Sequence, residues 1–588
     1  MKNGKYGKII SSVTAVALAC SFGMGAIACG EDEKGWTPPA NTYEYDIPQD
    51  YCRTYYEVFV RSFADSNGDG IGDLRGLADN LDYLNDGDDS TMTDLGINGI
   101  WMMPINKSPS YHKYDVIDYY SIDSEYGTLE DFDYLVSECN KRGIWLQMDL
   151  VLNHTSTEHE WFKAAQQAAR DGKSPFTDPD MLKYEFKRST TNPSGDGKGT
   201  WYKVSGTSDY WYLGNFSSAM PDVRLTNSAV RAEIQKIVDF WLERGIRSFR
   251  LDAVPWACAY DTEYNEANGE FWTWFNDYCD QKGAEVYGAE NDGINAYCYN
   301  VGEVWAGSET VNDFFGTGMS NFNYSMGADP AVGFCGVVND RLRASTAVEN
   351  LARFQASALE LDGDALLSNF LSNHDNDRSA GYFQRDPKKI KMAAGLYLLA
   401  PGNPYIYYGE EIGALGSGVD ENKRLAFNWG DKRKVKDPGG ANYDGKQALG
   451  TVKSQTGKAD SILTYYRNAV SMRNRFPEIG RGIIEPYALN ASGALQTSAS
   501  IRDGMEDKTL SLTSVNALNR TLAAYTLTWQ GRKILIVQNV GAEEININLG
   551  DYSSYGVVGT LYAEGGEIVK TEGSLKLPSG SVALLKAE

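Results

Sequence analysis

Four short apolar runs in this 588-residue chain each close on an acidic residue, and those four ends are where chemistry could be done. Trp145-Leu146-Gln147-Met148 leads to Asp149, with Asn153-His154 just beyond. Ser248-Phe249-Arg250-Leu251 leads to Asp252, Asn300-Val301-Gly302 to Glu303, and Phe370-Leu371-Ser372 to Asn373-His374-Asp375. Arg250 and Asp252 are two apart on an extended segment, so both side chains point to one face. A guanidinium beside a carboxylate holds it ionised and oriented, as a nucleophile requires. Glu303 lies between Val301 and Val304-Trp305, an apolar setting that raises a carboxyl pKa towards the working range of an acid. One ionised and one protonated carboxyl group, about 5–5.5 Å apart, can cleave a glycosidic bond by double displacement with retention. Asp375 would then stabilise positive charge on the oxocarbenium-like transition state.

The chain has only four histidines. Three of them, His112, His154 and His374, stand near these ends, where imidazoles can hydrogen-bond sugar hydroxyls; the fourth is His159. No pair has the spacing of a zinc protease motif, so metal catalysis is not indicated.

Such groups need a scaffold that brings strand ends together. Strand-like runs start near Tyr56, Gly99, Ile144, Ser248, Asn300, Asn321, Phe370 and Tyr405, with helical stretches such as Leu129 to Arg142 and Ala229 to Arg244 between them. Eight such units across roughly 400 residues predict a (β/α)8 TIM barrel, whose catalytic groups sit at the C-terminal strand ends. The barrel is expected over residues 46–154 and 225–484. Residues 155–224, rich in Gly, Ser, Thr and Tyr, are too long for a bare loop and predict an inserted subdomain after strand three. From residue 485 to 588, short strands between turns predict a C-terminal antiparallel β-sandwich.

Asp65-Ser66-Asn67-Gly68-Asp69-Gly70-Ile71-Gly72-Asp73 has the spacing of a calcium loop. Asp65, Asn67, Asp69 and Asp73 supply side-chain oxygens and Ile71 a carbonyl. Gly76 stands where an EF-hand has its Glu, so one ligand must come from elsewhere. Six cysteines from Cys52 to Cys335 contain no C-x-x-C pair, which argues against zinc; disulfides and buried free thiols are both open. The net charge of −24 disfavours nucleic acid and is no obstacle to a neutral polymer. The 37 Tyr and 13 Trp suit sugar faces as well as a large core.

Lys2, Lys5 and Lys8 followed by an apolar run from Ile9 to Ala28 read as a secretory signal over residues 1–28. Ala26-Ile27-Ala28-Cys29 is similar to a bacterial lipobox, and Gly30-Glu31-Asp32-Glu33-Lys34 reads as a solvated tether over 29–45. The expected product is an extracytoplasmic monomer that meets a membrane only through a lipid on Cys29, or is secreted.

Together the motifs Asp149 to His154, Phe249 to Ala253, Gly302 to Trp305 and Ser372 to Asp375 resemble the α-amylase family of glycoside hydrolases, in the family's order. The resemblance implies an α-glucan substrate such as starch or maltooligosaccharides. It assigns nucleophile, acid/base and stabiliser to Asp252, Glu303 and Asp375. Arg250, His154 and His374 would hold the sugar at the cleaved bond, with Tyr114 stacked beneath it and His112 and Asp149 alongside. The insertion resembles the family's B domain and the sandwich its C domain. Met220-Pro221-Asp222-Val223-Arg224 is similar to a signature of members between oligo-1,6-glucosidases and neopullulanases, with Arg224 where that signature has Asn. Val254-Pro255-Trp256 replaces the Lys-His that many α-amylases carry, which puts a second calcium in doubt. Lys113 replaces a frequent Gly before Tyr114. Ser110-Tyr111-His112-Lys113 lacks the Asp that closes the pocket of exo-acting relatives, so an endo-acting α-amylase is expected. The alternatives are a 4-α-glucanotransferase or maltodextrin-trimming hydrolase on the same site and, more remotely, a non-catalytic glucan-binding lipoprotein, which should lack a carboxylate.

Overall fold

A computed structural model describes residues 50–587, apart from 197–198, 259–264, 289–297, 432–434, 444–448, 491 and 501–517. The signal and tether expected over residues 1–45 lie outside the described residues.

Eight strands close into a parallel barrel: β1 (Tyr55–Val58), β2 (Gly99–Met102), β3 (Trp145–Leu150), β4 (Ile246–Leu251), β5 (Tyr299–Gly302), β6 (Ser320–Phe322), β7 (Leu367–Phe370) and β8 (Asn403–Tyr407). Each is fully buried or nearly so, as a parallel strand covered by helices outside and side chains inside must be. Sequence-based starts and ends shift by up to three residues: β7 begins at Leu367 rather than Phe370, and β1 stops at Val58 because a helical turn begins at Val60.

Capping residues start the helices. Thr128 and Asp131 form a reciprocal capping box at Leu129–Lys141, and the Asn227 side chain accepts from the first amides of Ser228–Glu243. Inside the barrel, Tyr55, Trp101, Tyr299, Phe322, Phe370 and Tyr405 form a buried aromatic layer. Above it lies the charged layer, with Asp149 paired in register to Arg250 across β3 and β4.

Between β3 and β4 the chain makes a three-stranded antiparallel sheet from Phe186–Arg188, Tyr210–Leu213 and Trp201–Lys203. Its exit returns against the barrel: Val223 N donates to Asn153 O at 2.8 Å, and His154 bridges to Asp222. The insertion thus forms one wall above the strand ends.

After the barrel, β9 (Ile483–Leu489), β10 (Leu495–Thr497), β11 (Leu522–Trp529), β12 (Arg532–Asn539), β13 (Ile545–Asn548), β14 (Tyr555–Tyr562), β15 (Val569–Thr571), β16 (Ser574–Leu577) and β17 (Ser581–Ala587) form two antiparallel sheets. Period-two alternation explains the packing. Leu535 and Val537 join Ile545, Ile547, Leu575 and Leu577 in a core between the sheets, while Ile534 and Ile536 face the barrel. The larger sheet is therefore covered on both sides. Among the described residues the six cysteines from Cys52 to Cys335 are free thiols, all buried except the half-buried Cys258.

Candidate active site

Arg250 organises the mouth of the barrel. Projecting from β4 and 1% exposed, it places Nη1 2.8 Å from Asp149 Oδ1 and 2.7 Å from Asp252 Oδ1, and Nη2 2.8 Å from Glu303 Oε2. One guanidinium thus bridges acids from the ends of three neighbouring strands. Three carboxylates on one buried cation are a costly arrangement for stability alone. After Asp252 the chain enters a left-handed residue, Ala253 (φ 51°), and its amide donates to Glu303 Oε2 at 3.0 Å. The turn after Asp252 therefore orients Glu303.

The acids are tuned apart. Burial pushes Asp252 up to about 6, with Arg250 opposing and Asp149 and Asp375 reinforcing. Arg250 lowers this carboxyl as the sequence spacing predicts, but dehydration outweighs the guanidinium. Glu303 is also raised, first by burial and then by repulsion from Asp252 and Asp375, against Arg250. Its sequence neighbour Trp305 is 53% exposed and stacks on Tyr324, so that ring is not what buries the carboxyl. Asp375 moves the other way. Burial would raise it, but His374, Arg424 and Arg250 hold it well below the usual carboxylate range.

His374 lies between two carboxylates, with Nδ1 2.6 Å from Glu57 Oε1 and Nε2 3.2 Å from Asp375 Oδ2. Burial opposes its charge, but Asp375 and Glu57 prevail and raise it to about 10, so it is an imidazolium. Tyr114 Oη donates to Asp149 Oδ2 at 2.9 Å and lies 2.7 Å from His374 Nε2, its ring stacked on the imidazole. His112 is depressed, first by burial, and its Nδ1 accepts from Tyr114 N at 3.1 Å. His154, lowered to about 4 by burial, keeps a buried Nε2 without a hydrogen-bond partner and lies against Phe216. The structure thus gathers Asp252, Glu303, Asp375, Asp149, Arg250, His374 and Tyr114 in one contact network, with His112 and His154 at its edge. His159 instead caps the helix Glu160–Arg170.

Sequence reasoning misses two residues of the network. Glu57, at the end of β1, is an acid inside an apolar strand; its strand-end position could have marked it. Arg424 donates to Asp375 Oδ1 at 2.8 Å, to His374 O at 3.1 Å and to Tyr111 Oη at 3.1 Å. It comes from the loop after β8, and nothing in its sequence neighbourhood points to the site. Arg224 makes a two-point ion pair with Glu185, at 2.9 and 3.0 Å.

The loop Asp65 to Asp73 turns its oxygens onto its own amides. Asp65 accepts from Asn67 (3.0 Å), Gly68 (2.6 Å) and Gly70 (2.7 Å), Asn67 from Asp69 (2.9 Å), and Asp69 from Ile71 (2.7 Å). Asp73 takes Ser66 N and caps the helix at Gly76. Lys436 Nζ donates to Asp69 O at 3.0 Å. Among the described residues no three acidic, His or Cys side chains gather at metal-binding distance. A carboxylate has about four lone-pair sites, more than the donors each of these accepts, so the residue types suit calcium while their present geometry is that of a self-capped turn.

Residues 57–482 match the family model described as alpha amylase, catalytic domain. Alpha-amylase 3 of Dictyoglomus thermophilum is 34% identical over 523 residues, covering 87% of this chain and 94% of that protein. Oligo-1,6-glucosidase of Bacillus cereus is 29% identical over 551 residues, covering 86% and 93%. The solved structure of Eubacterium rectale Amy13B superposes with a TM-score of 0.80 at 34% identity, covering 94% of this chain and 100% of that one. A closed barrel, a bridged set of strand-end acids and a family match across its catalytic region lead to one conclusion: the chain belongs to the alpha-amylase catalytic-domain family and is a glycoside hydrolase-type enzyme.

Proposed function

We propose that the protein is an endo-acting α-amylase that hydrolyses internal α-1,4 bonds of starch and maltodextrins with retention. The observation that carries this reading is the single guanidinium of Arg250 shared by Asp252 and Glu303. Arg250 engages Oδ1 of Asp252, leaving Oδ2 to attack the anomeric carbon. Arg250 and the Ala253 amide both engage Oε2 of Glu303, leaving Oε1 to give its proton to the departing glycosidic oxygen. The raised pKa of Glu303 supports the acid role. In the second half-reaction the Glu303 carboxylate takes a proton from water, which attacks the same carbon and releases Asp252. Asp375, kept ionised, faces the oxocarbenium-like sugar, and the charged His374 can donate to its hydroxyls.

The endo reading rests on the approach to the site. The stretch before Tyr114, where exo-acting relatives have an acid, holds none, and its Tyr111 hydroxyl accepts from Arg424. Phe216 (47% exposed, edge-on to Trp256) and Trp305 provide aromatic surface for further sugars beside the cleaved bond. The same surface could hold an acceptor sugar, which favours glucan transfer as the second reading. Incubation with soluble starch and maltoheptaose, with timed chromatography, tests both. Short maltooligosaccharides support hydrolysis, products longer than maltoheptaose mean transfer, and glucose alone at early times contradicts the endo assignment.

We further propose a structural calcium held by Asp65, Asn67, Asp69, Asp73 and the Ile71 carbonyl, supported by their spacing. A lipid anchor on Cys29 is proposed from the sequence motif; an unmodified mature N-terminus beyond residue 29 by mass spectrometry would contradict it.

A further inference from the structure

Lys113 stands between two residues of the sugar-binding wall and adopts a backbone that lysine rarely takes. Its φ is 66°, in the left-handed region that glycine enters freely and a side chain enters at a cost. Its side chain turns inward, and the residue is 3% exposed. The ammonium sits 3.1 Å from Asp123 Oδ1 and 2.7 Å from Glu125 Oε2, over the ring of the buried Tyr126. Burying a lysine is unfavourable unless it is held on more than one side, and here it is.

The clamp closes a loop. The turn from Ser108 to Asp115 connects the short strands Asn106–Lys107 and Asp118–Ile122. Asp123 holds this turn at two points: Oδ2 accepts from Ser108 N at 3.0 Å, while Oδ1 receives the Lys113 ammonium. Within the bend, Lys113 N donates to Ser110 Oγ at 3.2 Å, and Ser110 and Ser108 both donate to Asp115. Of the residues on either side, Tyr114 contacts Asp149 and His374, and His112 accepts from the Tyr114 amide through Nδ1. A glycine at this position would give the turn its left-handed bend but no tether. Lysine accepts the backbone cost and adds an anchor.

We propose that Lys113 is a positioning residue: its buried ammonium, gripped by Asp123 and Glu125, fixes the His112–Tyr114 wall and so sets affinity for the sugar at the cleaved bond. The proposal rests on the hydrolase reading for its substrate, but the rigidity of the turn can be measured without it. A wall that binds ground state and transition state alike acts on KM rather than kcat.

The test compares Lys113→Gly, Lys113→Arg and Glu125→Gln with the unmodified protein. Lys113→Gly relieves the backbone and removes the anchor. It should raise KM for maltoheptaose roughly tenfold with kcat within about twofold, and speed amide exchange at residues 108–115. Lys113→Arg, which keeps a cation in reach of both carboxylates, should restore most of the affinity. Glu125→Gln weakens the grip from its solvent side and should shift KM and exchange in the same direction by less; it decides the matter if Lys113→Gly does not fold. Unchanged KM and exchange in both Lys113→Gly and Glu125→Gln would overturn the proposal. If the unmodified protein cleaves no α-glucan, the hydrolase reading fails by itself, and the exchange comparison still decides whether Lys113 fixes the turn.

Discussion

Glu57 Oε1 lies 2.6 Å from Nδ1 of His374, joining the first barrel strand to the segment after the seventh across 317 residues of chain. With Asp375 on its other nitrogen, the imidazole is held as a cation well above its ordinary pKa, at about 10. The packed faces around it are the Trp101 edge and the Tyr114 ring, neither of which carries charge at neutral pH.

The first prediction is a pH effect. Because the folded pKa of His374 exceeds its unfolded value of about 6.5, its charge contributes stability that is fully present below that value. The contribution is lost as pH rises through about 10. Glu57→Gln removes one of the two carboxylates, so the alkaline loss of melting temperature should move to lower pH. An unmoved alkaline loss of melting temperature would mean that His374 is neutral in the folded protein.

Arg250→Met should do more than weaken activity. Three acids would lose their shared cation inside the barrel mouth. Breaking a buried ion pair by removing one partner costs about 3–5 kcal/mol, and denaturant melting should show a loss of that order. Turnover should fall by roughly two orders of magnitude or more, as expected when a transition-state contact is removed. A variant with native stability would show that the bridge is not what holds these acids.

Most of this network is legible in the sequence for a physical reason. Asp149, Arg250, Asp252, Glu303 and Asp375 sit at ends of apolar strands, and the period-two rule places Arg250 and Asp252 on one face without any knowledge of the fold. Glu57 and Arg424 were missed because their partners are distant in sequence and neither lies in a motif. Direction of charge tuning was legible for Glu303 but not for Asp252, since dehydration depends on how the barrel closes over it. Lys113 was visible as a departure, yet its meaning required the backbone angle and the acids at 123 and 125.

Calcium in the loop Asp65 to Asp73 should stabilise the fold without taking part in chemistry, since an ion that binds only the folded state raises its melting point by mass action. Chelation should lower the melting temperature, and Asp69→Ala should abolish that response. A chelator response that survives Asp69→Ala would move the ion elsewhere; no response in the unmodified protein would leave the loop as the self-capped turn described.

The proposed endo action predicts the pattern of starch breakdown. Iodine staining and viscosity should collapse while reducing sugar is still scarce, because internal bonds are cut first. Parallel decline of staining and rise of glucose would indicate attack from chain ends.

The central claim is that Asp252 and Glu303, bridged by Arg250, act by double displacement at one anomeric carbon. Proton NMR during the first seconds of maltoheptaose cleavage reads this directly from the new reducing end. Two inversions predict the α-anomer first, relaxing slowly towards the equilibrium mixture, with the signal absent in Asp252→Asn. Initial release of the β-anomer would contradict the assignment, because a single displacement by water needs no nucleophile at residue 252.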